Sequence, residues 1–505
     1  MKTNTRITLA LLVTLAFSLL HHRAAAQDLP GKRDSITSAV LKEKRIIQVV
    51  LPRNYKPGSK EKYDVLYVLD DGNTRTINNV QQFIEDEAYM PPTIIVGVLN
   101  TDRNRDFLPT HVADTKTSGG ADKFLQFFKD ELIPYVNKTY PSNGDNTIFG
   151  HSFGGVFVTY ALITEPQLFK SYIAADPSYW WDSGIMVKMT AAKLASLADL
   201  DKTFYISGRE GEAFSGMGIP PMEDLLKKAA PKGLTWKVIA YPDETHGSVR
   251  LKSMYDGLKF SYAGYRTNGV SFHPMSGIVL KDKPIKVWYF EDTTKVRYTT
   301  DGTEPTAASP LIRPNNIITG PTTFKAKLFA SRDRYNKAAT GTFKEGTYLP
   351  AAPDAGGMKQ GGFNYAYYEG TWDKLPDFSK LSPVKTGIAD STFDINKMPR
   401  QDNFGLLITG QLEVKQDGYY VFLLNSDDGS KFYIGNQLLI DDDGLHGDGD
   451  YKSYILPLQK GFYPIRIAYF QKDGGRSLNL TYITPFTMSF KRSSPIPLWL
   501  QYGAR

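Results

Sequence analysis

Gly150-His151-Ser152-Phe153-Gly154 follows a short β-prone run ending at Phe149 and precedes an apolar stretch, Gly154 to Thr164, with helical character. A serine on a strand-to-helix turn between small residues is held with its hydroxyl clear of the sheet at a helix N-terminus, the placement a serine nucleophile needs. The five-residue pattern alone is common by chance, so its position between strand and helix carries the weight. A serine hydroxyl attacks only with a base beside it. Of seven histidines, His21 and His22 lie in an N-terminal leader, His151 is the variable residue of the pattern, and His273 and His446 fall in a β-rich half. His111 precedes the serine, whereas His246 follows it by 94 residues in the loop Pro242 to Gly247, where the chain order serine, acid, histidine expects the base. The acid is expected in Gly208-Arg209-Glu210-Gly211-Glu212, with Glu210 ahead of Glu212 and with Asp176 and Asp243 behind both. The amide of Phe153 and one from Asp70-Asp71-Gly72-Asn73, at Asn73 or Gly72, are the expected oxyanion donors.

The elements that must hold these groups read as a parallel sheet covered by helices. Strands are expected at Ile46 to Leu51, Tyr63 to Leu69, Thr93 to Leu99, Asn146 to Phe149, Ser171 to Ala174, Thr203 to Ser207 and Trp236 to Tyr241, with helices between them. Between Gly120 and Val136, Phe124, Phe127, Phe128, Leu132 and Val136 recur at helical spacing and form a sheet-covering face. After about Asn268 the helical period gives way to short strands and Asp-Gly, Gly-Asn and Pro turns. The expected organisation is a leader over residues 1–26, an α/β domain over 27–267, a β-sandwich over 268–348, a Pro/Ala/Gly linker over 349–357 and a β-barrel or jelly-roll-like domain over 358–505.

Lys2 and Arg6, the apolar run Ile7 to Leu20 and Ala24-Ala25-Ala26 form a secretory signal pattern too short for a membrane span. The expectation is an exported protein, periplasmic or extracellular, without stable membrane insertion after cleavage. Absence of cysteine excludes disulfides, thiolate metal sites and cysteine nucleophiles. The formal charge of +7 falls to +4 without Lys2, Arg6 and Arg23, and no basic block forms a phosphate-tracking stripe, so a nucleic-acid partner is not expected.

Beyond the serine turn, Val65 to Asp70, Ile95 to Val98, Asp102 to Pro109, Asp176-Pro177-Ser178-Tyr179-Trp180-Trp181-Asp182 and Glu244 to Ser248 resemble the "Putative esterase" family of α/β-hydrolases, over roughly residues 40–265. That family includes enterochelin-type siderophore esterases, feruloyl and acetylxylan esterases and S-formylglutathione hydrolases. The resemblance implies Ser152 as nucleophile and His246 as base, while the family's usual acid position holds Gly211. Arg103 and Arg105, with Asp106, either orient an acidic or catechol-bearing substrate or form an internal ion pair, the latter being favoured. Tyr179, Trp180 and Trp181 either wall an acyl pocket or pack in the core.

Val296 to Thr306 with Thr323 to Lys327 is similar to the fibronectin-III-like C-terminal module of chitobiases and hexosaminidases. Gly418 to Phe422, Ser426 to Ser430, Asp443 to His446 and Gly461 to Arg466 look like the protective-antigen-type β-barrel. In lectin relatives an aspartate pair like Asp427-Asp428 holds calcium against sugar hydroxyls; the alternative, a tight Asp-Asp-Gly turn, is preferred. The leading functional expectation is a serine carboxylic ester hydrolase, without a catalytic cofactor, that deacylates a polysaccharide. A periplasmic siderophore esterase is the alternative. The reading from another class is a carbohydrate-binding or adhesin-like protein on a degenerate hydrolase scaffold.

Overall fold

Runs rich in Val, Ile, Leu and Tyr with no polar alternation suit strands covered on both faces, and they form the centre of the first sheet. The structure, a computed structural model, describes residues 31–70, 73–197, 200–449 and 451–504. The chain divides into two compact units, the first ending at Tyr265 and the second beginning at Arg266.

The first unit is built on β1 (Lys32–Ser38), β2 (Glu43–Val50), β3 (Tyr63–Leu69), β4 (Thr93–Val98), β5 (Ser142–His151), β6 (Ser171–Ala175), β7 (Lys202–Arg209) and β8 (Leu234–Tyr241). They lie in the order β1-β2-β4-β3-β5-β6-β7-β8. β1, β2 and β4 pair antiparallel, and every pairing from β4 to β8 is parallel. Every residue of β3 and β4 is buried. All seven expected strands are present. The polar hairpin strand β1, Lys-Arg-Asp-Ser-Ile-Thr-Ser, is an addition that its weak apolar pattern hides.

The expected helix after Gly120 runs as Ala121–Phe127, a π-turn Phe128–Leu132 and Ile133–Thr139. Its predicted face is inside: Phe124, Phe127, Phe128, Leu132 and Val136 are all fully buried, each large side chain contributing about 1.5–3 kcal/mol. The helix Phe153–Thr164 is buried from Gly154 to Ile163, because it packs on β5 and β6 and against the helix Trp181–Leu194. The helix Val249–Ser261 packs on β6, β7 and the helix Thr74–Asp86. Both long helices thus rest on β6, whose C-terminal end adjoins the serine turn.

In the second unit, strands of the expected sandwich and of the expected barrel share a sheet. One eight-stranded sheet contains Val296–Thr299, Thr322–Leu328, Lys337–Gly346 and Ser276–Leu280, then Lys452–Leu458, Gly418–Ser426, Leu478–Ile483 and Ser494–Pro495. Ser276–Leu280 joins the halves, parallel to Lys337–Gly346 on one side and to Lys452–Leu458 on the other. The approach is tight, since a Cβ on Gly277 would lie 2.3 Å from the Ile455 carbonyl oxygen. Phe272, Val279, Phe324 and Phe343 share one core with Val421, Leu423, Ile455 and Ile483. The segment expected as a linker begins docked: the Leu349 N–H donates to Pro457 O at 2.9 Å, and Ala352 and Phe462 exchange two bonds of 2.9 Å. Ala355 is buried, while Pro350, Ala352 and Pro353 remain exposed.

Candidate active site

β5 runs through His151, and the chain turns at once into the helix beginning at Phe153. Ser152 takes φ 57° and ψ −117°, a conformation costing a non-glycine residue about 1–3 kcal/mol, held by Ser152 N–H to Ala175 O at 2.9 Å. Gly150 is required, because a Cβ there would lie 2.3 Å from Gly154 O. On the helix side the tight position is Gly155, 2.8 Å from Pro177 Cβ, whereas a Cβ on Gly154 would meet nothing nearer than 3.5 Å. The close approach is therefore displaced by one residue from the pattern's second glycine.

His246 stands beside this turn. Its ring centroid is 4.3 Å from that of His151, whose Nε2–H donates to the His246 carbonyl at 2.8 Å. Burial pushes the His151 imidazole down to about 3, with repulsion from His246 adding, so His151 remains a neutral donor through the physiological range. The loop before the helix is self-supporting: Thr245 N–H donates to Ser248 Oγ at 2.9 Å, Ser248 N–H returns to Thr245 Oγ1 at 3.0 Å, and Ser248 Oγ donates to Glu244.

The carboxylate on His246 is that of Asp176, where Glu210 or Glu212 was expected. His246 Nδ1–H donates to Asp176 Oδ2 at 2.6 Å, and Arg209 Nε–H reaches the same oxygen at 2.7 Å. Asp176 is fully buried, directly follows β6 and sits at φ 41°. Burial works to raise its pKa, but the bonds from His246 and Arg209 outweigh it and hold the carboxyl below the usual range. Glu210 continues the β7–β8 ladder through its N–H to Tyr241 O at 3.0 Å, and strand alternation sends its side chain away from that of Arg209. Glu210 and Glu212 are both exposed. An acid one strand nearer the serine, after Ala175, is the readable signal behind Asp176.

Two further neighbours were not anticipated. Ser178 Oγ lies 3.1 Å from Ser152 Oγ, and Ser178 N–H donates to Ser152 O at 3.2 Å. Arg250 reaches Asn73 Oδ1 at 2.9 Å. Phe153 occupies the first helical position, whose N–H has no partner within the helix. Asn73 does not offer its amide as expected, since that N–H donates to Asp70 O at 3.0 Å. The other expected donor, Gly72, lies outside the described residues, as does the leader over residues 1–26.

The two arginines separate. Arg103 pairs with Asp70 at 2.8 Å, donates to His151 O at 3.0 Å and lies 5.3 Å from the Phe153 ring, so it buttresses the turn. Arg105 is instead part of a network with Glu43 and Asp106 that includes the buried Arg45, the internal pairing expected as the more favoured reading. Tyr179 and Trp181 are buried, and Trp180 is exposed.

In the second unit, Asp427 Oδ2 accepts Asp448 N–H at 3.2 Å and Asp428 Oδ2 accepts Lys472 N–H at 2.7 Å. Among the described residues, the one group of three metal-capable side chains with ligand atoms within 4.8 Å is His151, Asp176 and His246. Both carboxylates of the aspartate pair accept main-chain amides. No helix among the described residues is long and apolar enough to cross a membrane.

Residues 38–203 match the family described as "Putative esterase". This stretch is an esterase-family domain. Residues 274–342 match the chitobiase/β-hexosaminidase C-terminal domain and 338–496 the PA14 domain. The ferri-bacillibactin esterase BesA of Bacillus subtilis is 29% identical over 170 residues, covering 29% of this chain and 59% of that protein. The siderophore enterobactin esterase of Emericella nidulans is 47% identical over 68 residues, 13% of this chain and 22% of its own length. The chain therefore spans less than two thirds of these curated relatives. An IroE-like serine hydrolase from Shewanella oneidensis, a solved structure, is 32% identical with a TM-score of 0.43, over 45% of this chain and 78% of its own.

Proposed function

We propose that the N-terminal unit is a serine carboxylic ester hydrolase acting on siderophore esters, with Ser152 as nucleophile, His246 as general base and Asp176 as the acid. The observation that carries it is the 2.6 Å contact between His246 Nδ1 and Asp176 Oδ2 beside a serine in strained backbone. A carboxylate on Nδ1 fixes the tautomer that leaves Nε2 free to take the Ser152 proton, and it stabilises the imidazolium formed during attack. The acyl-enzyme and the free alcohol result, His246 returning its proton to the leaving oxygen. Water then attacks with His246 again as base, releasing the acid and restoring Ser152. The Phe153 amide supports charge on the tetrahedral oxygen. None of these steps calls for a cofactor.

The siderophore class is supported by relatives described as bacillibactin and enterobactin esterases, which favour it over polysaccharide deacylation. The polysaccharide reading draws on the chitobiase-type and PA14 matches, and the same experiment weighs both. Purified protein is expected to hydrolyse a catecholate trilactone and to release neither acetate nor ferulate from xylan. Release from xylan without trilactone cleavage would reverse the assignment. Export to the periplasm or beyond belongs to the same proposal, resting on the signal pattern of residues 1–26.

A further inference from the structure

Three aromatic side chains follow Ser178, and their surroundings sort them. Tyr179 is fully buried with its hydroxyl 2.7 Å from Thr159 Oγ1, and Trp181 is buried with Nε1–H donating to Thr110 Oγ1 at 3.2 Å. Both are satisfied core residues. Trp180 is 49% exposed.

Two independent routes tie that exposed indole to the serine turn. Along the backbone it lies two residues from Ser178, whose hydroxyl is 3.1 Å from that of Ser152. Through its ring it packs 5.9 Å from Phe153, the residue after the serine, and 6.2 Å from Trp181. The chain just after it is distorted. Asp182, Ser183 and Gly184 take consecutive left-handed φ values of 44°, 53° and 77°, and a Cβ on Gly218 would lie 3.0 Å from Trp180 N. Strain of this kind persists where the surroundings impose it and gathers at ligand sites. An apolar ring kept out of the core beside a nucleophile is a surface for a substrate to cover.

The flank is also defined. The His246 ring lies against His151, before the serine, while the Trp180 ring lies against Phe153, after it, both pairs tilted. The leaving alcohol must face His246, which protonates it, and the acyl side is assigned to the other flank, where the Trp180 ring lies 5.9 Å from the Phe153 ring.

We infer that Trp180 is an aromatic platform that receives a ring carried on the acyl side of the scissile ester and sets the preference for aryl-bearing over alkyl-bearing acyl groups. The inference rests on the serine-esterase reading of the site and names its substrate class. It is tested with N-benzoylserine ethyl ester and N-acetylserine ethyl ester, which share the scissile bond and the leaving ethanol. The aryl-to-alkyl ratio of kcat/KM is expected to fall by about tenfold in Trp180→Ala, through KM, and to stay closer to wild type in Trp180→Phe. Trp499→Ala, an exposed tryptophan of the second unit, is expected to keep the ratio. A Trp180→Ala ratio within about twofold of wild type would overturn the inference. Binding separates it from the underlying reading. In Ser152→Ala protein, N-benzoylserine is expected to quench indole fluorescence, and the added Trp180→Phe change is expected to remove that signal. Wild-type protein that cleaves neither ester, with this quenching intact, refutes the esterase reading and leaves the platform standing; quenching that survives Trp180→Phe refutes the platform.

Discussion

Two buried aspartates, one in each unit, sit in left-handed backbone: Asp176 at φ 41° and Asp428 at φ 57°. Their partners differ in kind. Asp176 Oδ2 is shared by a histidine ring and a guanidinium, while Asp428 Oδ2 accepts a main-chain amide of Lys472 and its own N–H donates to His446 O at 2.8 Å. A carboxylate bonded to a histidine ring orients that ring, and one bonded to a main-chain amide closes a turn. Burial and backbone geometry alone therefore do not distinguish the proposed acid from an aspartate that closes a turn. The identity of the partner does.

The contrast can be broken by mutation. The largest effect is expected from Ser152→Ala, which should lower p-nitrophenyl acetate turnover by about 10⁴-fold or more; activity that survives belongs to another site. Next, Asp176→Asn should lower kcat by about 10³–10⁴-fold, while Glu210→Gln should stay within about twofold, measured on the same ester. Equal effects from both would return the acid to the β7 loop. In the second unit Asp428→Ala should cost about 1–3 kcal/mol in thermal unfolding and leave esterase turnover unchanged, because it removes an amide contact in a turn. Added calcium should not restore that loss; restoration would make the pair a metal site.

A smaller effect sharpens the comparison through pH. His273, between Ser271 Oγ at 3.2 Å and Ser453 Oγ at 2.7 Å, is pushed down to about 4 by burial. Its unfolded value is about 6.5, so between these values the unfolded chain binds the extra proton and stability falls as pH falls. His273→Gln should flatten that slope, lessening the loss between about pH 6.5 and 4 by roughly 2–3 kcal/mol, read from urea unfolding at several pH values. An unchanged slope would mean that another group takes up the proton.

The sheet of the first unit was legible because each strand carries its own apolar run, and the serine turn because Gly150 and Ser152 are local to it. His246 was legible from chain order and the scarcity of histidine. Asp176 ranked behind the glutamates because a linear reading does not say which strand end adjoins the turn: His151 pairs with Ala175, and Asp176 is simply next. The strand pairing between the two β modules was hidden for a related reason. Gly277 and Ile455 pair across a separation that no local pattern reports.

Ser276–Leu280 also governs how the chain can be shortened. A product ending at Tyr348 would strip Lys452–Leu458 from one side of that strand and bare a row of unpaired amides and carbonyls, a template for self-association. Proteolysis or gene fusion that respects the join near Tyr265 and Arg266 avoids this hazard, so the two β modules should be inherited, expressed and lost together.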